Sequence, residues 1–276
     1  MNIFLHRDDL RIRDNPGLKK ASESGETVPV YIQDPRVYQR TGKNKRKFRS
    51  QGIKKLDQKY RDHGSGLIYR EGKTSEVLEK LLETYDAEKV FYSRGYTPLK
   101  RRIQQEIEEA DFESESFQER VLVEPKRLEK EYGTFSPFYR EWKKINKQKP
   151  SSLPENLASI DSEIPELNTD VSIEMPEAGE DQALSKWKDF RDNRLENYKD
   201  DRDKIGSPES VSRLSMYYSN GMLGLRKVVQ DVERLIEGSD DSSKIRNYAK
   251  YRNELAWREF FYQVLWHNPE AVNQNY

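Results

Sequence analysis

The sequence predicts an α/β fold, a doubly wound parallel sheet, followed by an all-helical region. Three observations carry that expectation. Short apolar, β-rich runs alternate with amphipathic helical segments through the first 110 residues. An acidic stretch with spaced prolines follows. Beyond it, apolar residues recur at helical rather than strand spacing.

Each element has its own local reason. Asn2–His6 is a short apolar strand. Asn15 and Pro16 supply an N-cap and an N1 proline for a helix through Leu18–Ser22. Thr27–Ile32 is a β-rich strand, and Phe48–His63 a helix with Ile53, Leu56 and Tyr60 on one face. Gly66–Tyr69 is the third strand, and Ser75–Tyr85 a helix carrying Val77, Leu78, Leu81 and Leu82. Lys89–Tyr92 is the fourth strand, with a helix near Pro98–Ala110. No glycine-rich dinucleotide fingerprint accompanies this alternation, so a standard NAD site is not expected. Ser151–Asp181 holds Pro154, Pro165 and Pro176, nine acidic residues and no Lys or Arg, and reads as an extended surface linker. Helices are then expected over Gln182–Asp203, Leu214–Glu237 and Lys244–Trp266. The expected division is an α/β domain over 1–142, a linker over 143–181 and a helical region over 182–276.

A length of 276 residues allows one or two domains. Only 34% of residues are hydrophobic and the mean hydropathy is −1.06, so the surface must be heavily charged. The absence of cysteine excludes disulfides and thiolate metal sites. His6, His63 and His267 lie too far apart in sequence to suggest a metal set. No apolar run approaches membrane-spanning length, and the N-terminus lacks a signal-peptide pattern, so a cytoplasmic protein with no membrane partner is expected. The net charge of zero hides a gradient: residues 1–150 carry 33 basic against 25 acidic side chains, and residues 151–276 carry 16 against 24. A contact with nucleic acid must therefore come from a local patch. The basic stretch Lys43–Arg61 has few interleaved aromatics and reads as a solvated helix face.

Two constellations could carry chemistry. In the last helix Glu254, Trp257, Arg258 and Phe261 stand at offsets 0, 3, 4 and 7 and share a face. Spacing alone favours the plainer reading, an i,i+4 Glu254–Arg258 ion pair beside a core tryptophan. Ile245, Leu255, Val264 and Leu265 offer that helix apolar packing surface. Ser212-Arg213-Leu214-Ser215, with Tyr198 and Arg202 upstream and Gly221 and Arg226 downstream, places two hydroxyls where a helix opens. That suits an anion site, although the residues alone favour an ordinary N-cap.

Both constellations resemble one family. The run Asn253-Glu254-Leu255-Ala256-Trp257-Arg258-Glu259-Phe260 is similar to the substrate-facing helix of the DNA photolyase/cryptochrome family, and most closely to class I cyclobutane-dimer photolyases. The stretch Arg194 to Arg226 resembles that family's FAD-phosphate signature, with Val211 where a threonine is usual and Met216 where a proline is usual. The run His6–Pro16 resembles its opening signature, with His6 where an aromatic is usual; His6 itself reads as a satisfied packing residue. Tyr132–Trp142 resembles the end of its antenna domain.

The resemblance implies an antenna-type α/β domain and the first part of a helical FAD-binding domain. It implies a carbon–carbon lyase: light-driven electron transfer from reduced FAD to a flipped pyrimidine dimer in UV-damaged DNA, ring splitting and electron return. It assigns Glu254 and Trp257 to the dimer, as catalytic and DNA-contacting residues. Tyr198, Ser212, Arg213, Leu214, Ser215, Tyr251 and Arg258 go to FAD, and Arg202, Arg258 and Phe261 to DNA. A flipped base against an indole is sensible chemistry, because a damaged pair unstacks cheaply. The family's folate antenna uses an Asn-Glu pair where Leu99 and Lys100 stand here, so the antenna chromophore is left open. In the family the Glu-x-x-Trp run lies near the middle of the protein, whereas here it lies near the end. The expectation is therefore a photolyase portion that needs a complementary C-terminal chain, with a cryptochrome-type light receptor or an inactive remnant as alternatives. Glu254 together with Trp257 favours repair over reception.

Overall fold

The computed structural model describes residues 1–167, 171–204 and 206–274; residues 168–170 of the expected linker, and 205, 275 and 276 of the expected helical region, lie outside the described residues. Five strands form one parallel sheet: β1 (Asn2–His6), β2 (Thr27–Gln33), β3 (Ile68–Glu71), β4 (Lys89–Ser93) and β5 (Glu113–Phe117), in the order β3-β2-β1-β4-β5. Alternation along each strand sorts the core into two layers. Ile3, Leu5, Val28, Val30, Val90 and Tyr92 point to one face, packed with Leu78 of α4 (Thr74–Tyr85) and Ile103 and Ile107 of α5 (Pro98–Glu108). Phe4, Tyr31 and Phe91 point to the other, packed with α1 (Pro16–Ser24) and α3 (Lys43–Arg61). That second layer runs without a break into the helical region. A short helix, α2 (Pro35–Gln39), follows β2.

The expected capping of α1 is present: the Asn15 side chain accepts from the Leu18 N–H at 3.1 Å. Strand β5 was not expected. Its sequence, Glu-Ser-Glu-Ser-Phe, has no apolar run, and it lies at the sheet edge, where charged side chains deter further pairing.

The acidic segment is strapped to the sheet. Leu157 bridges Thr27 at the start of β2, the Ala158 N–H donates to the Thr27 carbonyl at 2.9 Å, and the Ser65 hydroxyl to the Ala158 carbonyl at 2.6 Å.

Two long expected helices are broken. Gln182–Asp203 becomes α7 (Glu180–Asn193), a 3-10 turn and α8 (Tyr198–Asp201). Leu214–Glu237 becomes α9 (Ser215–Asn220) and α10 (Leu225–Glu237), because Gly221 adopts φ +64° and ends α9 in the left-handed conformation. The last helix, α11 (Ser242–His267), is 26 residues long and capped by Asp241, whose carboxylate accepts from the Ser243 N–H at 2.7 Å. It packs on α10, α8 and α6 (Phe135–Lys144).

Buried ion pairs tie the opening loop to these helices. Glu119 lies between Arg11, at 2.5 Å, and Arg226, at 3.2 Å. Glu180 accepts from the Ile12 and Arg13 N–H groups, both at 3.0 Å.

Candidate flavin and lesion site

Helix α11 presents its expected face in two directions. Trp257 lies flat on Phe135, with ring centroids 3.8 Å apart and planes at 8°, and Phe261 stacks beside it at 5.8 Å. Phe261 is 61% exposed, so this stack opens to solvent. The Glu254 carboxylate pairs with the Arg202 guanidinium and, at 2.9 Å, with Lys250 one turn earlier. The Glu254–Arg258 pair that spacing allowed does not form. Arg258 turns toward the α/β domain, donates to the Arg120 carbonyl at 2.6 Å and lies over the Tyr262 ring at 4.8 Å. Burial pulls the Arg258 pKa below its ordinary value.

The second constellation meets the first through aromatic contacts. Tyr251, on α11, stacks on Trp187 of α7 at 5.6 Å and meets the edge of Tyr198 at 5.1 Å. Its hydroxyl lies 3.2 Å from that of Tyr218. Burial raises the Tyr251 pKa, and the Ser212 and Tyr218 side chains oppose the rise. The Arg202 guanidinium lies over Tyr198 at 5.7 Å. Tyr218, Tyr251, Tyr198, Arg202 and Glu254 therefore form one connected strip that leads, one turn on, to Trp257. Leu214 is fully buried in the core. Arg213 takes φ +52° between the two serines, and Ser215 is the first residue of α9. A cationic residue between two hydroxyls is a donor set that fits the phosphate end of a dinucleotide.

Three residues that hold this arrangement were not singled out from sequence. Glu259 is buried and accepts from the Leu122 N–H at 2.6 Å, the Val123 N–H at 3.0 Å and the Trp142 indole at 2.8 Å. Gln263 brackets the Tyr132 backbone, accepting from its N–H and donating to its carbonyl. Arg120 donates to the carbonyls of Tyr218 and Ser219 and, at 2.6 Å, to the Tyr262 hydroxyl. Burial would raise the Tyr262 pKa, but the guanidinium groups of Arg120 and Arg258 outweigh it and hold the phenol below its ordinary value. A polar residue between apolar neighbours on a helix was the available signal for Glu259 and Gln263.

Both nitrogens of His6 are engaged, by the Tyr60 hydroxyl at 2.6 Å and the Asp9 carbonyl at 3.0 Å. Next to it, at the carboxyl ends of β1 and β2, is a pocket lined by Asp8, Tyr31, Asp34, Arg46, Arg49 and Lys100. Asp8 binds Arg49 at 2.5 Å and also Lys100. Burial lowers the Lys100 pKa from 10.5 to about 7, with Arg49 and Arg120 adding to the fall and Asp8 opposing it. Between pH 7 and 10.5 the unfolded chain then holds a proton at this lysine that the folded chain has released. Stability from this group rises with pH across that window. Denaturant titrations at pH 7, 8 and 9 should show the rise, and Lys100→Met should flatten it.

Comparison with known proteins agrees with this architecture. The DNA photolyase family model matches residues 2–158, more than half of the chain. The chain belongs to the DNA photolyase family. The deoxyribodipyrimidine photo-lyase of Halobacterium salinarum is 28% identical over the whole chain, which covers 63% of that relative. The Thermus thermophilus deoxyribodipyrimidine photo-lyase is 29% identical over 97% of the chain and 61% of the relative. A bacterial class III photolyase from Agrobacterium tumefaciens superposes with a TM-score of 0.86 at 26% identity, covering 99% of this chain and 60% of that one. The photolyase-family chain described here thus spans about three-fifths of the length of the relatives it matches. Among its described residues no helix is long and apolar enough to cross a membrane.

Proposed function

We propose that this photolyase-family chain serves light-driven repair of cyclobutane pyrimidine dimers in UV-damaged DNA, in the cytoplasm. The single observation that supports the reading best is the strip from Tyr218, on the helix that Ser215 opens, through Tyr251, Tyr198, Arg202 and Glu254 to the solvent-open Trp257–Phe261 stack. It sets a phosphate-binding chemistry beside a stacking platform with a carboxylate at its edge. Reduced FAD, when bound, supplies the photo-excited electron. The residues of this chain have simpler tasks. Ser212, Arg213 and Ser215 hold flavin phosphate, with Leu214 as their core anchor, and Tyr198, Tyr251 and Arg258 border the cofactor. Trp257 and Phe261 receive the flipped base by stacking, Glu254 accepts from its N–H groups, Arg258 borders the lesion as well as the cofactor, and Arg202 meets DNA phosphate. The proposed division is an antenna-type domain over 1–142, a linker over 143–181 and the first part of the FAD-binding domain over 182–276. The remaining share of the relatives' length completes the flavin pocket, in the same polypeptide or as a complementary chain.

The test is a visible-absorption and fluorescence titration with FAD, alone and with a C-terminal photolyase segment, followed by a light-dependent dimer-repair assay. FAD retention that requires the segment, with repair under blue light, supports the reading. Flavin binding with no repair would make the protein a receptor of the cryptochrome type. No flavin binding in either arrangement would leave a non-catalytic module.

In the completed protein, Trp257→Ala is expected to weaken binding to dimer-containing DNA by roughly 5- to 150-fold, the worth of one base–aromatic stack. Binding to undamaged duplex should change little. Electrophoretic mobility on both duplexes checks this.

A further inference from the structure

The Glu254 carboxylate is held by two cations on one oxygen. Arg202 Nη1 donates to Oε1, and the Lys250 ammonium lies 2.9 Å from the same atom. Among the described residues the second oxygen, Oε2, accepts no hydrogen bond, and it is not shut off from solvent. The carboxylate is therefore anchored at one end and open at the other. Lys250, Glu254, Trp257 and Phe261 follow one another at offsets 0, 4, 7 and 11, so they run along one side of α11. Helix stability does not account for the lysine. A lysine one turn before a glutamate is the weaker order for such a pair, and an exposed pair contributes little.

The two cations are attached differently. Lys250 projects from within a 26-residue helix, and its reach to Glu254 is set by the helix repeat. Arg202 follows the four-residue helix α8 and is shared with Asp203, at 3.3 Å, whose side chain is 85% exposed. Tyr198 lies under the same guanidinium at 5.7 Å. Arg258, the cation that spacing offered to Glu254, is turned away to the Arg120 carbonyl. If Arg202 turns to another anion, Lys250 is the cation left on Glu254.

We propose that Lys250 is a positioning residue for lesion recognition: it holds Glu254 by Oε1 when Arg202 moves to DNA phosphate, which leaves Oε2 to accept from the flipped base. The inference rests on the repair function proposed above and adds a residue to it. Taking Arg202 from Glu254 without a second cation would leave a carboxylate with no counter-charge beside a stacked base, where water no longer screens it. With Lys250 in place the charge stays matched while Arg202 is exchanged, and the pair strengthens as the base covers it. The fixed one-turn spacing also keeps the carboxylate on the side of α11 that carries Trp257. Lys250 acts through Glu254 and touches no DNA itself.

The test measures equilibrium binding in the dark, so that no dimer is split, using the completed protein and one duplex with and without a pyrimidine dimer. Lys250→Met should weaken binding to the dimer duplex roughly three- to tenfold. Binding to the undamaged duplex, and its salt dependence, should not change. Lys250→Arg should restore the wild-type preference, and Lys250→Met should have no further effect in the Glu254→Gln background. Lysine, methionine and arginine are comparable helix formers, so circular dichroism melts of these variants should coincide. Equal loss on both duplexes, with the salt slope reduced by about one, would make Lys250 a phosphate contact and overturn the proposal. So would Lys250→Met without effect on the dimer duplex, or with the same loss in the Glu254→Gln background. A wild type that binds both duplexes alike would remove the repair reading itself, and this inference with it.

Discussion

Glu259→Ala is expected to destabilise the protein by about 3–5 kcal/mol, the largest loss from any single side chain in the candidate site. The carboxylate is 2% exposed and receives three donors, two from the backbone at Leu122 and Val123 and one from the Trp142 indole. Alanine leaves all three buried without a partner, and each orphan costs its desolvation. Burial raises the Glu259 pKa and the three donors resist that rise, so the site is poised between opposing effects. Glu259→Gln keeps the volume and one acceptor oxygen but aims an NH₂ at a donor, and should lose about half as much. Because α11 carries Glu254 and Trp257 on its other faces, Glu259→Ala should also loosen the Trp257–Phe135 stack. Urea titrations of the three proteins, with tryptophan fluorescence as the signal, check both the order and the size.

Gly221→Ala is the second large effect, expected at about 3 kcal/mol or more. Gly221 takes φ +64°, and a Cβ there would lie 1.9 Å from the Asp8 carbonyl oxygen and 2.5 Å from the Asp9 Cα. Those are backbone atoms of the opening loop, which the Asn220 carbonyl also holds through the Leu10 N–H at 3.0 Å. Relief therefore needs two backbone segments to part. The substitution should shift α9 and the Ser212–Ser215 loop with it, so flavin retention in the completed protein should fall along with stability. Gly133→Ala is the control: its Cβ would meet nothing within 4 Å, and its effect should stay within about 1 kcal/mol of zero. Thermal melts and flavin fluorescence of the two variants separate a steric effect from a general glycine effect.

Much of this molecule is legible in the chain because it depends on neighbours in sequence. Alternation in Ile3-Phe4-Leu5 and in Val28-Pro29-Val30 fixes which side chains enter which layer, since the strand period is two. Asn15 and Pro16 open a helix by local hydrogen bonding and a preset φ. The Asn-Glu-Leu-x-Trp-Arg run marks the family by its own residues. The expected helix Leu214–Glu237 breaks at a single residue: Gly221 sits in a helical pattern, and only its left-handed angle against Asp8 makes it a stop. Strand β5 carries no sequence signal because an edge strand needs no apolar alternation to pair with β4.

By itself the sequence determined the α/β order, the helical region after an acidic segment and membership of the photolyase family, all of which rest on local period and local motif. Tertiary structure decided the direction each α11 residue faces. Spacing put Glu254 and Arg258 on one helical side, yet Arg202 and Lys250 claim Glu254, while the Arg120 carbonyl and the Tyr262 ring claim Arg258. It also gave Glu259 its three donors. The physical reason is the same in each case. Arg202, 52 residues from Glu254, and the Arg120 carbonyl, 138 residues from Arg258, draw these two side chains apart, each joined by a different i,i+4 neighbour. A tertiary contact that meets a hydrogen-bonding group is worth more as its surroundings are buried, and an unmet group is costly.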